Sequence, residues 1–181
     1  MAGSPDQYAA DARRFVEIQR EAHNAMLTGQ SRLQRACSVP VIPSPTNGRQ
    51  LPNLTQLRTE LTAEAASFQV AANNRRKVAE SAQTRRCRNP VSAVLELFGT
   101  QTECTDAKAD TIARRRIVKA ADDWSELLMS QLKVLDDARA LERRGCLSAG
   151  FTTKLTEAYR DSLQPAGVPL RVLFDQWTSE D

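Results

Sequence analysis

The sequence predicts an all-α fold from three observations: a helix-forming composition, three long stretches of three-and-four periodicity, and four cysteines at the ends of those stretches. Ala, Leu, Arg, Glu and Gln are plentiful in the 181 residues while aromatics make up 5%, a composition that favours helices and lacks the β-branched and aromatic runs of strands. The length suits one domain, residues 1–181, with a real core, and 41% apolar with 26% charged residues is ordinary for a globular chain. Met1–Ser4 reads as a cloning remnant.

From Pro5 to Ala36, Tyr8, Ala12, Phe15, Ala22, Met26, Gly29, Leu33 and Ala36 recur at helical spacing, with Gln19 in the one polar slot. Segment 38–52 carries Pro40, Pro43 and Pro45 and then Asn47-Gly48. That pattern predicts an extended linker and a turn, with Val39, Val41 and Ile42 against the end of the bundle. Asn53 is the expected N-cap of a second helix with the stripe Leu54, Leu57, Leu61, Ala65, Phe68 and Ala72, thinning to Val78, Ala79 and Ala82. Pro90 stops any continuation, and Val91–Phe98 reads as a short apolar helix ended by Gly99.

Thr105 is the expected cap of the third long helix, with Asp106 in its first turn. Its stripe (Ile112, Ile117, Ala120, Trp124, Leu127, Leu128, Leu132, Leu135, Ala138, Leu141) is too wide for one seam, so the helix is expected to sit centrally. Trp124, Leu128, Leu135, Phe68, Leu61 and Phe15 are the expected core. Arg143-Arg144-Gly145 ends the helix with cations on the negative dipole and a glycine for the left-handed position. Two short helices, about 148–163 and 169–177, are split by Pro165-Ala166-Gly167 and are expected on the bundle's flank.

Folding the three long helices as an elongated antiparallel bundle places the ends of the first and third together, and the end of the second beside the start of the third. Cys37 then meets Cys146 and Cys87 meets Cys104. Of the three pairings that four cysteines allow, the other two would cross about 45 Å of helix, beyond any disulfide. The same separation excludes one zinc site built from all four. Two staples imply an oxidising compartment, periplasmic or secreted, with a signal peptide removed ahead of residue 1; four free thiols in the cytoplasm is the competing reading. Met1–Asp6 has neither a basic region nor an apolar run, and no apolar stretch reaches the about 18–20 residues of a membrane span.

No motif for chemistry stands out, and neither a catalytic, a cofactor-binding nor a metal site is expected. The one histidine, His23, falls mid-helix and is expected to face solvent; any Ser-His-Asp or Cys-His arrangement would have to use it. Seven scattered glycines make no phosphate cradle. Asp122-Asp123 with Glu126, and Asp136-Asp137 with Glu142, lack the Glu-x-x-His partners of a helical di-metal site and read as a solvated face. A net charge of +3 and a pI near 8.8 are too weak to demand nucleic acid.

Two surfaces are candidates for binding. Arg75, Arg76, Arg85, Arg86, Arg114, Arg115 and Arg116 map towards the Cys87–Cys104 end as an anion-binding pole, although Asp6, Asp11, Glu80, Glu103, Asp106 and Asp110 are interleaved and no aromatics offer base stacking. Leu170, Leu173, Phe174 and Trp177 share one side of the last helix, opposite Val172, and either pack on the bundle or stay exposed as a docking patch. The leading expectation is a non-catalytic protein of an oxidising compartment that works by protein–protein interaction: an inhibitor, an immunity protein or an accessory subunit of an envelope or secretion assembly. The alternatives are a sensor bundle holding a small ligand between helices, and a cytosolic scaffold or nucleic-acid-binding protein using the basic pole.

Overall fold

Six helices account for the described part of the chain. The computed structural model describes residues 3–37, 52–88, 90–99, 102–164 and 167–179, and among them there is no strand. The helices are α1 (Pro5–Ala36), α2 (Pro52–Arg86), α3 (Pro90–Leu97), α4 (Glu103–Arg143), α5 (Phe151–Ser162) and α6 (Leu170–Thr178). The proline-rich linker expected over 38–52 lies outside the described residues, except that Pro52 already belongs to α2.

Helix ends show where local chemistry differs from the simplest expectation. Ser4 caps α1: its Oγ accepts the Gln7 N–H at 3.3 Å and its carbonyl accepts the Tyr8 N–H at 3.0 Å. Asn53 is not the N-cap of α2, because Pro52, with φ preset and no N–H to satisfy, takes the first helical position; the Asn53 side chain accepts from its neighbour Leu54 at 3.0 Å. The cap of α4 is Thr102 rather than Thr105. Thr102 Oγ1 accepts the Thr105 N–H at 3.2 Å and its carbonyl accepts the Asp106 N–H at 3.1 Å, so Thr105 lies inside the first turn. At the far end Gly145 adopts φ 76°. Cys146 N–H reaches the Leu141 carbonyl and Gly145 N–H the Glu142 carbonyl, both at 3.0 Å, a Schellman closure that turns Cys146 back over the helix end.

The described chain forms two compact units, and each long helix contributes to both. Residues up to Val16, Ala65–Asp123 and Arg171–Asp181 make the first. Its core is Tyr8, Ala12 and Phe15 from α1, Phe68 and Ala72 from α2, Ala113, Ile117 and Ala121 from α4, and Phe174 and Trp177 from α6. Here α2 and α4 run antiparallel, tied by Gln69 to Asp122 at 3.0 Å and Arg115 to Glu80 at 3.0 Å. Ile112, expected on the buried stripe, is exposed, as is Val78 of α2; Thr111 with Ala113 and Ala79 take the inner positions.

The second unit comprises Glu17–Glu64 and Trp124–Leu170. Its core is Leu54, Leu57 and Leu61 of α2, Trp124, Leu128, Leu132 and Leu135 of α4, and Tyr159 and Leu163. Gln19 pairs with Gln131 and Gln30 with Asp137, so α1 and α4 run in the same direction. The α5 helix begins at Phe151, three residues later than expected, because Gly150 at φ 84° ends the preceding turn. Its exposed N–H groups are met from α4: Glu142 Oε1 accepts from Gly150 at 2.7 Å and Oε2 from Thr152 at 2.9 Å. The structure thus gives Glu142, expected on a solvated face, a capping role.

Candidate interaction surface

Both cysteine pairs stand at disulfide distance. Cys37 and Cys146 have Cα atoms 5.4 Å apart within the second unit, and Cys87 and Cys104 have theirs 4.8 Å apart within the first, inside the range a disulfide spans. The second pair closes a short loop, and that loop carries α3.

Pro90 occupies the first helical position of α3, and Gly99 at φ 70° ends it, with Phe98 and Gly99 donating back to Leu95 and Glu96 at 3.1 and 3.0 Å. Lys108 of α4 anchors the helix through Glu96 at 2.8 Å. Val91, Val94, Leu95 and Phe98 follow the i, i+3, i+4, i+7 spacing of an amphipathic stripe. Such a stripe normally faces a core, but here it is exposed: Phe98, its last member, is 80% accessible and the neighbouring Leu97 85%. Immediately before α3, Arg85, Arg86 and Arg88 are exposed and carry no ion pair among the described residues. An apolar tip with a cationic flank, fixed by a cysteine pair, is the most distinctive surface the described residues offer.

The basic residues expected to form one pole fall into different environments. Arg114 is 3% exposed. Its Nε pairs with Asp110 at 3.2 Å and its Nη1 donates to the Trp177 carbonyl at 3.1 Å, so it belongs to the attachment of α6 and not to an anion-binding surface. Arg115 and Arg76 converge on Glu80, at 3.0 and 2.9 Å. Hydrogen bonds from Arg115, then Arg76, hold the Glu80 carboxyl below its ordinary range. Arg116 lies 4.0 Å from Asp6 and Arg75 is half-buried on α2. Arg85 and Arg86 remain, and they border α3.

The last helix likewise turns inward. Phe174 stacks on Phe68 with ring centres 4.2 Å apart and meets Phe15 edge-on at 6.0 Å, while Trp177 lies 5.9 Å from Phe68. Leu170, Phe174 and Trp177 are buried and Leu173 half-buried, so three of the four residues offered for docking are core; Val172 is exposed, as its phase requires. The cause is that α1 and α2 each present a phenylalanine whose ring surface α6 covers.

Of the α4 carboxylates singled out in sequence, Asp122 pairs with Gln69, Asp123 with Lys119, Asp136 with Arg58, Asp137 with Gln30 and Glu142 with the start of α5, while Glu126 is exposed. No cluster of three metal-ligating side chains occurs among the described residues. His23 is half-buried rather than solvent-facing, and burial lowers its pKa. Fully buried in the second unit, the Gln131 Nε2 donates to the Gln19 carbonyl and to its Oε1, both at 3.2 Å, and Tyr159 Oη donates to Gln131 Oε1 at 2.6 Å. This network ties α1, α4 and α5 together. An apolar groove of about 300 Å³ in the same unit is lined by Met26, Gly29, Leu33, Val134, Ala138 and Phe151, among others.

The exposure of α3 escaped the sequence reading because periodicity reports a face, not what covers it. The usable signal was an apolar run enclosed by Cys87 and Cys104 with arginines directly before it. Comparison with protein-family models, with curated proteins and with solved structures finds no match to this chain.

Proposed function

We propose that this is a non-catalytic interaction protein of an oxidising compartment, an accessory subunit, inhibitor or immunity protein that works by contact, with the α3 loop as its contact surface. The observation that carries the reading is the exposed stripe of α3, ending in Leu97 and Phe98. A helix of eight residues is marginal alone and ordinarily persists by burying its apolar face. Here it is braced by Cys87–Cys104 and by Lys108–Glu96 while that face stays open, which suits a surface kept ready for another body. The two cysteine pairs support the oxidising compartment. A photoreactive phenylalanine analogue placed at position 98 in cells of the native host tests the reading. A discrete adduct that disappears in the L97S variant is expected; no adduct of any kind would remove α3 from consideration.

The apolar groove favours a second reading, a small apolar ligand held between α1, α4 and α5. A Cβ at Gly29 would meet nothing within 4 Å, so Gly29→Leu reaches into the open space. If the groove binds ligand, the native protein takes up a fluorescent fatty acid and the Gly29→Leu variant does not. Absence of uptake by the native protein refutes this reading.

A further inference from the structure

We propose that the α3 loop seats the protein on an anionic bilayer surface, with Leu97 and Phe98 entering the headgroup boundary and Arg85, Arg86 and Arg88 meeting lipid phosphates. The proposal rests on α3 being the contact surface and names what it meets. Three features favour a bilayer.

The first is the combination of signals. Peripheral attachment to a membrane takes two weak contributions together, inserted apolar side chains and cations that find anionic headgroups. The α3 loop has both within one short stretch: five exposed large apolar side chains, and three exposed arginines without an ion pair among the described residues. The acidic residues in and just after the loop are Glu96, Glu103 and Asp106. Glu96 is held by Lys108, and Glu103 and Asp106 lie in the first turn of α4, where the helix dipole favours them.

The second is the distribution of exposure along the loop. It is greatest at Leu97 and Phe98, the last residues before the Gly99 turn, and lower at Val94 and Leu95. An apolar tip that ends in a turn suits shallow insertion, which needs no matching cavity in the partner.

The third is area. Five exposed apolar side chains are far fewer than the about 20–30 residues a side, burying roughly 800 Å² per partner, that a stable protein interface takes. A second copy of this chain meeting α3 through α3 would therefore be held weakly, whereas each apolar group placed in a bilayer gains its transfer free energy without a matching surface.

The test uses vesicles of phosphatidylcholine containing about one-third phosphatidylglycerol, pure phosphatidylcholine vesicles, and the intact oxidised protein in a flotation assay. The expected result is flotation with the anionic vesicles, little with the neutral ones, and release as salt rises from about 0.1 to about 0.5 M. The L97S/F98S variant should lose at least about tenfold in partitioning. The R85Q/R86Q/R88Q variant should lose roughly 100-fold together with its salt dependence. All five positions are exposed, so both variants should keep the parent's helical circular dichroism and melting temperature. Tryptophan at position 98 (F98W) should shift to the blue with anionic vesicles and be quenched by brominated acyl chains.

No flotation with anionic vesicles, or flotation unchanged in L97S/F98S, overturns the bilayer proposal. If that happens while the photoreactive analogue at position 98 still gives a discrete protein adduct, or a dimer of this chain, the contact-surface reading stands and the partner is a protein. With neither flotation nor adduct, both fall.

Discussion

Glu142 shows how one side chain can join two helices. Burial alone would push its carboxyl up, but hydrogen bonds from Thr152 and from the Gly150 N–H, with Arg139 nearby, hold it below its ordinary value of 4.5. A carboxyl lowered in the folded state contributes stability that is present above the unfolded value and lost as pH falls through the folded one. Melting temperature should therefore drop as pH is taken below about 4.5, and Glu142→Gln should flatten part of that drop while lowering the plateau. An acid limb identical in the variant would show that the cap contributes nothing. Tyr159 is the other informative residue. Burial raises its pKa and keeps the phenol a neutral donor to Gln131. Tyr159→Phe leaves that buried acceptor short of a donor and should cost about 1–3 kcal/mol in urea unfolding. Gln19 stood out in sequence as one polar position in an apolar stripe; its partner Gln131 did not, nor did Tyr159, because nothing local in either marks contacts made across 112 and 28 residues.

Helix ends and the last helix test the elements. Thr102→Ala should destabilise by about 1 kcal/mol and Thr105→Ala by clearly less, since Thr102 supplies the capping oxygen. Equal losses would restore Thr105 as the cap. For α6, Phe174→Ala should cost about 3–5 kcal/mol as a core truncation, with Phe68 and Phe15 losing their ring partner; an unchanged melting temperature would return α6 to the surface. The long helices were legible to within about three residues because proline, glycine and a sustained 3.6 period mark their bounds. What covers a short helix was not legible. The last helix and α3 are both brief and apolar, yet α6 finds phenylalanines on α1 and α2 while α3 stays open, and that difference is settled by tertiary packing alone. Arg114 was hidden for the same reason: three consecutive arginines point in three directions from a helix, and one of them turns inward to the Trp177 carbonyl.

Across the whole molecule, the cysteine pairs are the decisive contacts. They fix which helix ends lie together, brace the loop that presents α3, and support the oxidising compartment. In the chain-entropy description the Cys87–Cys104 bridge, with a separation of 17 residues, contributes about 3 kcal/mol, and Cys37–Cys146, separated by 109, nearly 5. Helix order and cysteine position made this pairing readable from sequence, since antiparallel packing of three helices of similar length leaves one arrangement within reach. The most direct measurement is peptide mapping by mass spectrometry of oxidatively refolded protein without reduction. Two linked peptide pairs are expected, Cys37 with Cys146 and Cys87 with Cys104. Any other linkage would contradict the helix arrangement, and four free thiols would contradict the compartment and the bracing of α3.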